Sequence, residues 1–255
     1  MILFKDDWYK DENRGAIVDI TTKNKTFLRY AQLLKTMGVE NNAFALTLLN
    51  PELQGIDPYD PELSREQQLM IAVECKLNPW YYFREVVRVP ATGSPDNVPL
   101  RANRANISLY WLFFNHVTTI LIQPRQTGKS VSTDCLMSNL LCVGAVNTHA
   151  NLLTKDDMLR TANVRRLKEI ITGLPDYINL RTKSDTNNLE KITVNALGNV
   201  YTTSVPRASI KDALNLGRGL TTAVNHIDEG PYVNNLSYTI SSMFSASGGQ
   251  RPYNS

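Results

Sequence analysis

The segment Gln123-Pro124-Arg125-Gln126-Thr127-Gly128-Lys129-Ser130 constrains this chain more than any other, because of what flanks it. Before it, Val117 to Ile122 is an apolar, β-branched run suited to a central parallel strand. After it, residues 128–143 carry a helical pattern. A glycine, a lysine and a hydroxyl residue at a strand-to-helix junction form a cradle for phosphate. Successive backbone N–H groups and the helix N-terminus concentrate positive potential there. Lys129 adds a point charge for the β- and γ-phosphates, and the Ser130 hydroxyl is a hard oxygen ligand for Mg²⁺. Gly128 lets the backbone pass close to a phosphate without a Cβ collision. Gln123 stands where such loops usually carry their first glycine, and a Gly-Lys-Ser tripeptide also suits a surface turn with an exposed lysine.

A second feature lies about 100 residues on. Val224-Asn225-His226-Ile227-Asp228-Glu229 ends a predicted strand, Thr221 to Ile227, with two adjacent carboxylates, although Asn225 and His226 interrupt its apolar run. In ATPases with a phosphate loop, the first acid holds Mg²⁺ and the second polarises the attacking water. Asp228 and Glu229 take those roles on this reading, with ATP and Mg²⁺ as cofactors. Such a pair belongs at the carboxyl end of a strand, where open α/β sheets bind ligands. The alternative is an Asp-Glu pair that caps the next helix.

The remaining pattern sets the fold class. Residues 1–75 read as a helical N-terminal prefix: Phe27, Leu28, Ala31, Leu34 and Met37 form one apolar stripe, and Ser64 with Gln67 opens a second helix through a capping box. Pro79 starts a short helix over Trp80 to Val87, Ile107 to Phe114 reads as a buried helix, and 91–99 as a loop. From there helices and strands alternate: a strand at His149–Leu153, a helix at Asp156–Ile171, and a hairpin of Ile192–Leu197 and Val200–Val205 around Gly198-Asn199. A helix over Tyr232 to Phe244 follows the acid pair. The expected class is α/β: a P-loop NTPase with a doubly wound, mainly parallel sheet over residues 76–255. The strand 149–153 falls between the two motif strands in sequence. With Glu229 beside Asp228, this favours the type that inserts an additional strand and uses a catalytic glutamate.

Charge and cysteine usage narrow the class only a little. A net charge of +3 in 255 residues does not by itself imply a nucleic-acid partner. The three cysteines, Cys75, Cys135 and Cys142, are odd in number and scattered, which argues against a disulfide framework. Cys135 and Cys142 lie seven apart on a predicted helix, a spacing that suits core packing. His116, His149 and His226 show no zinc-ligand spacing with them. Asp6, Asp7 and Asp11 interrupt the first residues, so neither a signal peptide nor a membrane span is expected, and cytosolic residence is.

Several of these segments, taken in order, resemble the terminase large subunits of tailed bacteriophages, those of large phages in particular. Residues 124–130 look like the deviant P-loop of that family, which often lacks the first glycine and carries an arginine inside the loop. Asn78-Pro79-Trp80-Tyr81-Tyr82-Phe83 and Asn103-Arg104-Ala105-Asn106 look like segments upstream of it. Leu153-Thr154-Lys155-Asp156-Asp157, Gly217-Arg218-Gly219 and Asp228-Glu229-Gly230-Pro231 follow in the family's order. The similarity covers roughly residues 75–255.

The resemblance implies an ATPase that drives double-stranded DNA into a procapsid, as a ring on the portal protein and with a small terminase subunit, in the cytoplasm of an infected bacterium. Arg125 would act on the γ-phosphate, and Arg218 would act on a neighbouring subunit's nucleotide or serve as a turn residue beside the acid strand. Asn103 and Arg104 fall where the family contacts adenine, and helix entry explains them equally well. The family also carries a threonine-rich coupling motif and a nuclease domain further along, so no nuclease activity is expected from this chain alone. Two other functions stay open: a helicase-like nucleic-acid-dependent ATPase, for which 255 residues leave no second sheet domain, and a non-catalytic nucleotide-binding scaffold.

Overall fold

A computed structural model of the chain describes residues 15–91, 93, 96–124, 127–207, 209–218 and 222–246, without the side chains of residues 217, 218 and 244–246. The chain divides into two units, Met1–Gly144 with Lys168–Leu180, and Ala145–Leu167 with Arg181–Ser255. Among the described residues no helix is long and apolar enough to cross a membrane.

The first unit is mainly helical. α1 spans Lys25–Thr36, α2 Arg65–Leu77, α3 Arg104–Phe114 and α4 Lys129–Asn139. Two short antiparallel pairs accompany them, β1 Ile17–Val18 with β2 Thr47–Leu48 and β3 Arg88–Val89 with β4 Val98–Pro99. Ser64 and Gln67 form the expected capping box at the start of α2. Pro79 occupies the first position of a helical turn, Pro79–Tyr81, that runs on as a π-turn over Tyr82–Val86. That turn drives Trp80, Phe83 and Tyr82 into the core, where Phe83 stacks on Tyr110 of α3 with centroids 3.9 Å apart. Charges buried in this unit are compensated, as burial requires: Arg84 meets Glu85 at 2.7 Å, Asp19 at 3.6 Å and the Ala45 carbonyl at 2.7 Å. Glu74 accepts from the backbone N–H groups of Leu49 and Asn50 and from Asn78 Nδ2.

α4 is anchored from two sides. Tyr110 Oη donates to the Ser132 carbonyl at 3.0 Å, and Tyr82 Oη lies 2.8 Å from Ser138 Oγ. Cys135 and Cys142, on α4 and the π-turn Leu140–Gly144 that continues it, are both buried.

The segment before α4 differs from expectation. Val117 to Ile122 is not a strand; it runs irregularly, with Ile120 87 % and Ile122 89 % exposed. A β-branched run becomes a strand only where a neighbour supplies a ladder and cover for its faces, and no described residue pairs with this one. What precedes it is a helix stop: α3 ends with His116 at φ 60°, and the N–H groups of Val117 and His116 donate back to the carbonyls of Leu112 and Phe113. That is a Schellman closure with histidine in the position glycine usually takes.

The second unit holds the sheet. β5 His149–Leu153, β6 Lys191–Val194, β7 Asn199–Ser204 and β8 Val224–Ile227 are ordered β6-β7-β5-β8. β7, β5 and β8 are parallel, and β6 is antiparallel at one edge. The turn between β6 and β7 carries Gly198 at φ 67°, the conformation that suits glycine. The protein is thus mixed α/β with a mostly parallel four-stranded sheet. β5 lies between β7 and β8, and with 117–122 irregular it does not separate two motif strands.

α5, Asp157–Thr172, follows β5; its residues 157–167 belong to this unit and 168–172 to the first. The acid strand is shorter than 221–227, and the helix expected from Tyr232 begins later, as α7 Leu236–Ala246. A 3₁₀ turn at Gly230–Tyr232 and a left-handed Asn235 at φ 51° occupy the interval. α6, Ile210–Arg218, was not foreseen in the sequence. Leu216 of α6 packs with Leu236 and Met243 of α7 against Leu153 and Ile227 of the strands.

Candidate phosphate loop and acid pair

The loop lies in the first unit. Gly128 sits at φ 80°, ψ 19°, immediately before α4, with open space where a Cβ would stand. Lys129 and Ser130 follow in the first helical turn, both partly buried. Lys129 folds back across the loop, with Nζ 3.4 Å from the Gln123 carbonyl oxygen. Thr127 Oγ1 bridges the same span, donating to Gln123 Oε1 at 2.9 Å and the Pro124 carbonyl at 3.0 Å. Gln123, in the place of a first glycine, thus helps close the loop through both its main chain and its side chain. Arg125 and Gln126 lie outside the described residues.

Asn103 and Arg104 stand at the entry to α3. Asn103 Oδ1 accepts from the N–H groups of Ala105 and Asn106 while Asn106 Oδ1 accepts from Asn103 N–H, a reciprocal cap. Asn103 is therefore engaged in starting the helix, and Arg104 is exposed.

The acid pair lies in the second unit, at the carboxyl end of β8. Asp228 N–H continues the ladder by donating to the Leu153 carbonyl at 3.0 Å. Its carboxylate is buried, 7 % exposed, and Oδ2 accepts from Asn163 Nδ2 of α5 at 2.9 Å. Asn163 Oδ1 in turn accepts from an Nη of Arg166 at 2.6 Å. Glu229 is exposed and left-handed at φ 54°, ψ 41°. Its Oε2 lies 2.5 Å from Lys155 Nζ, and the same ammonium stands 5.4 Å from the centroid of the Tyr232 ring. The bond to Glu229 is the chief reason the Lys155 pKa is raised. The side chain of Arg218 lies outside the described residues, and its backbone ends α6.

His226, two residues before Asp228, keeps Nδ1 buried with no hydrogen-bond partner among the described residues. Burial pushes its pKa down to about 4; Asp228 opposes that shift and Arg166 adds to it. The ring is therefore neutral at pH 7.

Lys155, Asn163 and Arg166 are the partners of the acid pair that the motif reading did not assign. Asn163 was the most findable. It falls among Leu159, Val164 and Leu167 on the core-facing side of a helical pattern, where a carboxamide needs a reason.

Among the described residues no group of three His, Cys, Asp or Glu side chains is placed to hold a metal. The Asp228 carboxylate and Ser130 hydroxyl are hard oxygen donors of the kind Mg²⁺ takes. Mg²⁺ commonly needs only one or two protein oxygens when phosphate and water complete its shell. The donor set fits a cation carried in with a nucleotide and does not fit an all-protein cage. No family model and no curated protein matches the chain.

Proposed function

We propose that the chain is an ATP hydrolase of the DNA-packaging type, the ATPase portion of a tailed-phage terminase large subunit. The observation that carries the reading is the end of β8, where a buried Asp228 and an exposed Glu229 follow a strand paired in parallel with β5. The left-handed Gly128 leading into Lys129 and Ser130 supports it from the other motif.

On this reading Lys129 donates to oxygens of the β- and γ-phosphates. Ser130 Oγ and Asp228 hold Mg²⁺, which when bound neutralises charge on the phosphates. Glu229 orients water and accepts its proton as the γ-phosphoryl group leaves. Arg125 stabilises the γ-phosphate from within the loop, and Arg218 does so for a neighbouring subunit. Duplex DNA, a portal protein and a small terminase subunit are the partners, in a ring assembled on the procapsid within the infected bacterium.

A non-hydrolysing nucleotide scaffold is the second reading, favoured by one observation: Lys155 already occupies the Glu229 carboxylate. Phosphate release with and without duplex DNA separates the two. Mg²⁺-dependent turnover that rises with DNA is expected from the motor. Nucleotide binding without turnover, in the full chain supplied with DNA and portal, would leave only the scaffold.

A further inference from the structure

Asn163 is 1 % exposed and presents a carboxamide to the interior on the same side of α5 as Val164 and Leu167. An apolar residue would fill such a place without needing hydrogen-bond partners. Asn163 instead uses both ends of its amide: Nδ2 donates to Asp228 Oδ2 at 2.9 Å, and Oδ1 accepts from Arg166 at 2.6 Å. The chemistry of the neighbours fixes which end faces which. A guanidinium only donates and a carboxylate only accepts, so the amide oxygen must face Arg166 and its nitrogen Asp228.

The order of the three groups matters for a cation. A guanidinium set directly on Asp228 would neutralise the carboxylate and repel a divalent ion at the same oxygens. An interposed neutral amide orients the carboxylate while leaving its negative charge for the ion. Arg166 braces the amide from behind, because its Nη bond polarises the carbonyl and strengthens the Nδ2–H as a donor. Asn163 engages Oδ2, and a carboxylate has lone pairs on two oxygens.

We propose that Asn163, braced by Arg166, is a positioning residue that fixes the Asp228 carboxylate for the divalent cation of a bound nucleotide. The inference rests on the ATPase reading of Asp228 and extends it to two residues of α5. Partners that orient a metal ligand typically change metal affinity about 10- to 100-fold when removed.

The test uses the full chain with ATP and Mn²⁺, the ion followed by electron paramagnetic resonance, alongside the Mg²⁺ concentration that half-saturates phosphate release. Asn163→Ala should weaken Mn²⁺ affinity of the nucleotide-loaded protein about 10-fold or more and raise the Mg²⁺ requirement in parallel. Excess Mg²⁺ should then restore most of the rate. Arg166→Leu removes the brace without touching Asp228 and should give a smaller shift in the same direction. Wild-type Mn²⁺ affinity in folded Asn163→Ala overturns the inference while leaving the ATPase reading intact. Should that variant fail to fold, wild-type affinity in Arg166→Leu overturns it instead. A wild-type chain that takes up no Mn²⁺ with ATP overturns the ATPase reading, and this inference with it.

Discussion

Lys155 Nζ and Glu229 Oε2 lie 2.5 Å apart because two parallel strands end level with each other. The ladder pairs Leu153 of β5 with Ile227 of β8, so two residues further along each strand Lys155 arrives beside Glu229. Both side chains keep more than a third of their surface in solvent, which limits the worth of the pair to about 0.2–1 kcal/mol. A double-mutant cycle of Lys155→Ala and Glu229→Gln, read by urea unfolding, should return a coupling in that range at low salt. It should shrink towards zero in 1 M NaCl, where the Debye length is about 3 Å. A coupling above about 3 kcal/mol, or one indifferent to salt, would mean the pair is far more sequestered than its exposure indicates.

Lys129→Ala should leave the fold in place and weaken ATP. The side chain makes a single long contact, 3.4 Å to the Gln123 carbonyl, so its removal costs little within the loop. Against phosphate the same ammonium would form charge-assisted bonds, worth about 1.5–3 kcal/mol, or roughly 10- to 100-fold in affinity. Titration calorimetry with ATP, beside a melting curve, checks both halves. Equal affinity in wild type and variant removes the phosphate role from this loop.

Glu229 combines an exposed carboxylate with a left-handed backbone, and the two can be separated by substitution. At φ 54° a residue with a Cβ is about 1–2 kcal/mol worse placed than glycine. Glu229→Gly should therefore unfold at higher urea than Glu229→Ala, since both lose the Lys155 pair and only glycine relieves the backbone. Glu229→Gln keeps the backbone and the shape while losing the base. It should bind ATP like wild type and hydrolyse it about 10²-fold more slowly. Strain held at a position that chemistry needs is a recurrent feature of active sites. A Gly variant no more stable than the Ala variant would place the cost of this turn elsewhere.

The elements set by local signals were readable in advance. Ser64 with Gln67 announced α2, Pro79 announced the helical turn that buries Trp80, and the Gly198-Asn199 turn announced the β6–β7 hairpin. Strand 149–153 was legible because its run is apolar on both faces. Val117–Ile122 has the same composition and a different fate, since strand formation depends on a neighbouring ladder that no local pattern encodes. The partners of the acid pair were hidden for a related reason. Lys155 meets Glu229 only through the β5–β8 register, and Asn163 meets Asp228 only through the packing of α5. Motif spacing places residues along the chain, whereas these contacts are made across it.

His226 gives the acid-side stability a specific prediction. Its ring is neutral in the folded protein because burial, reinforced by Arg166, outweighs the pull of Asp228 and brings the pKa down to about 4. In the unfolded chain the same imidazole titrates near its ordinary 6.5. Between those values the unfolded chain binds a proton that the native protein does not, so stability must fall as pH falls through the window. The contribution is complete above pH 6.5 and is lost towards pH 4. From pH 7 to pH 5 a shift of this size removes about 1–2 kcal/mol of unfolding free energy. Urea midpoints at the two pH values should show that loss in wild type. His226→Gln, which keeps a polar side chain of similar reach without a titrating proton, should show about 1–2 kcal/mol less. An NMR titration of the His226 ring in the folded protein provides the direct check, and a midpoint at or above 6.5 would contradict the burial of Nδ1.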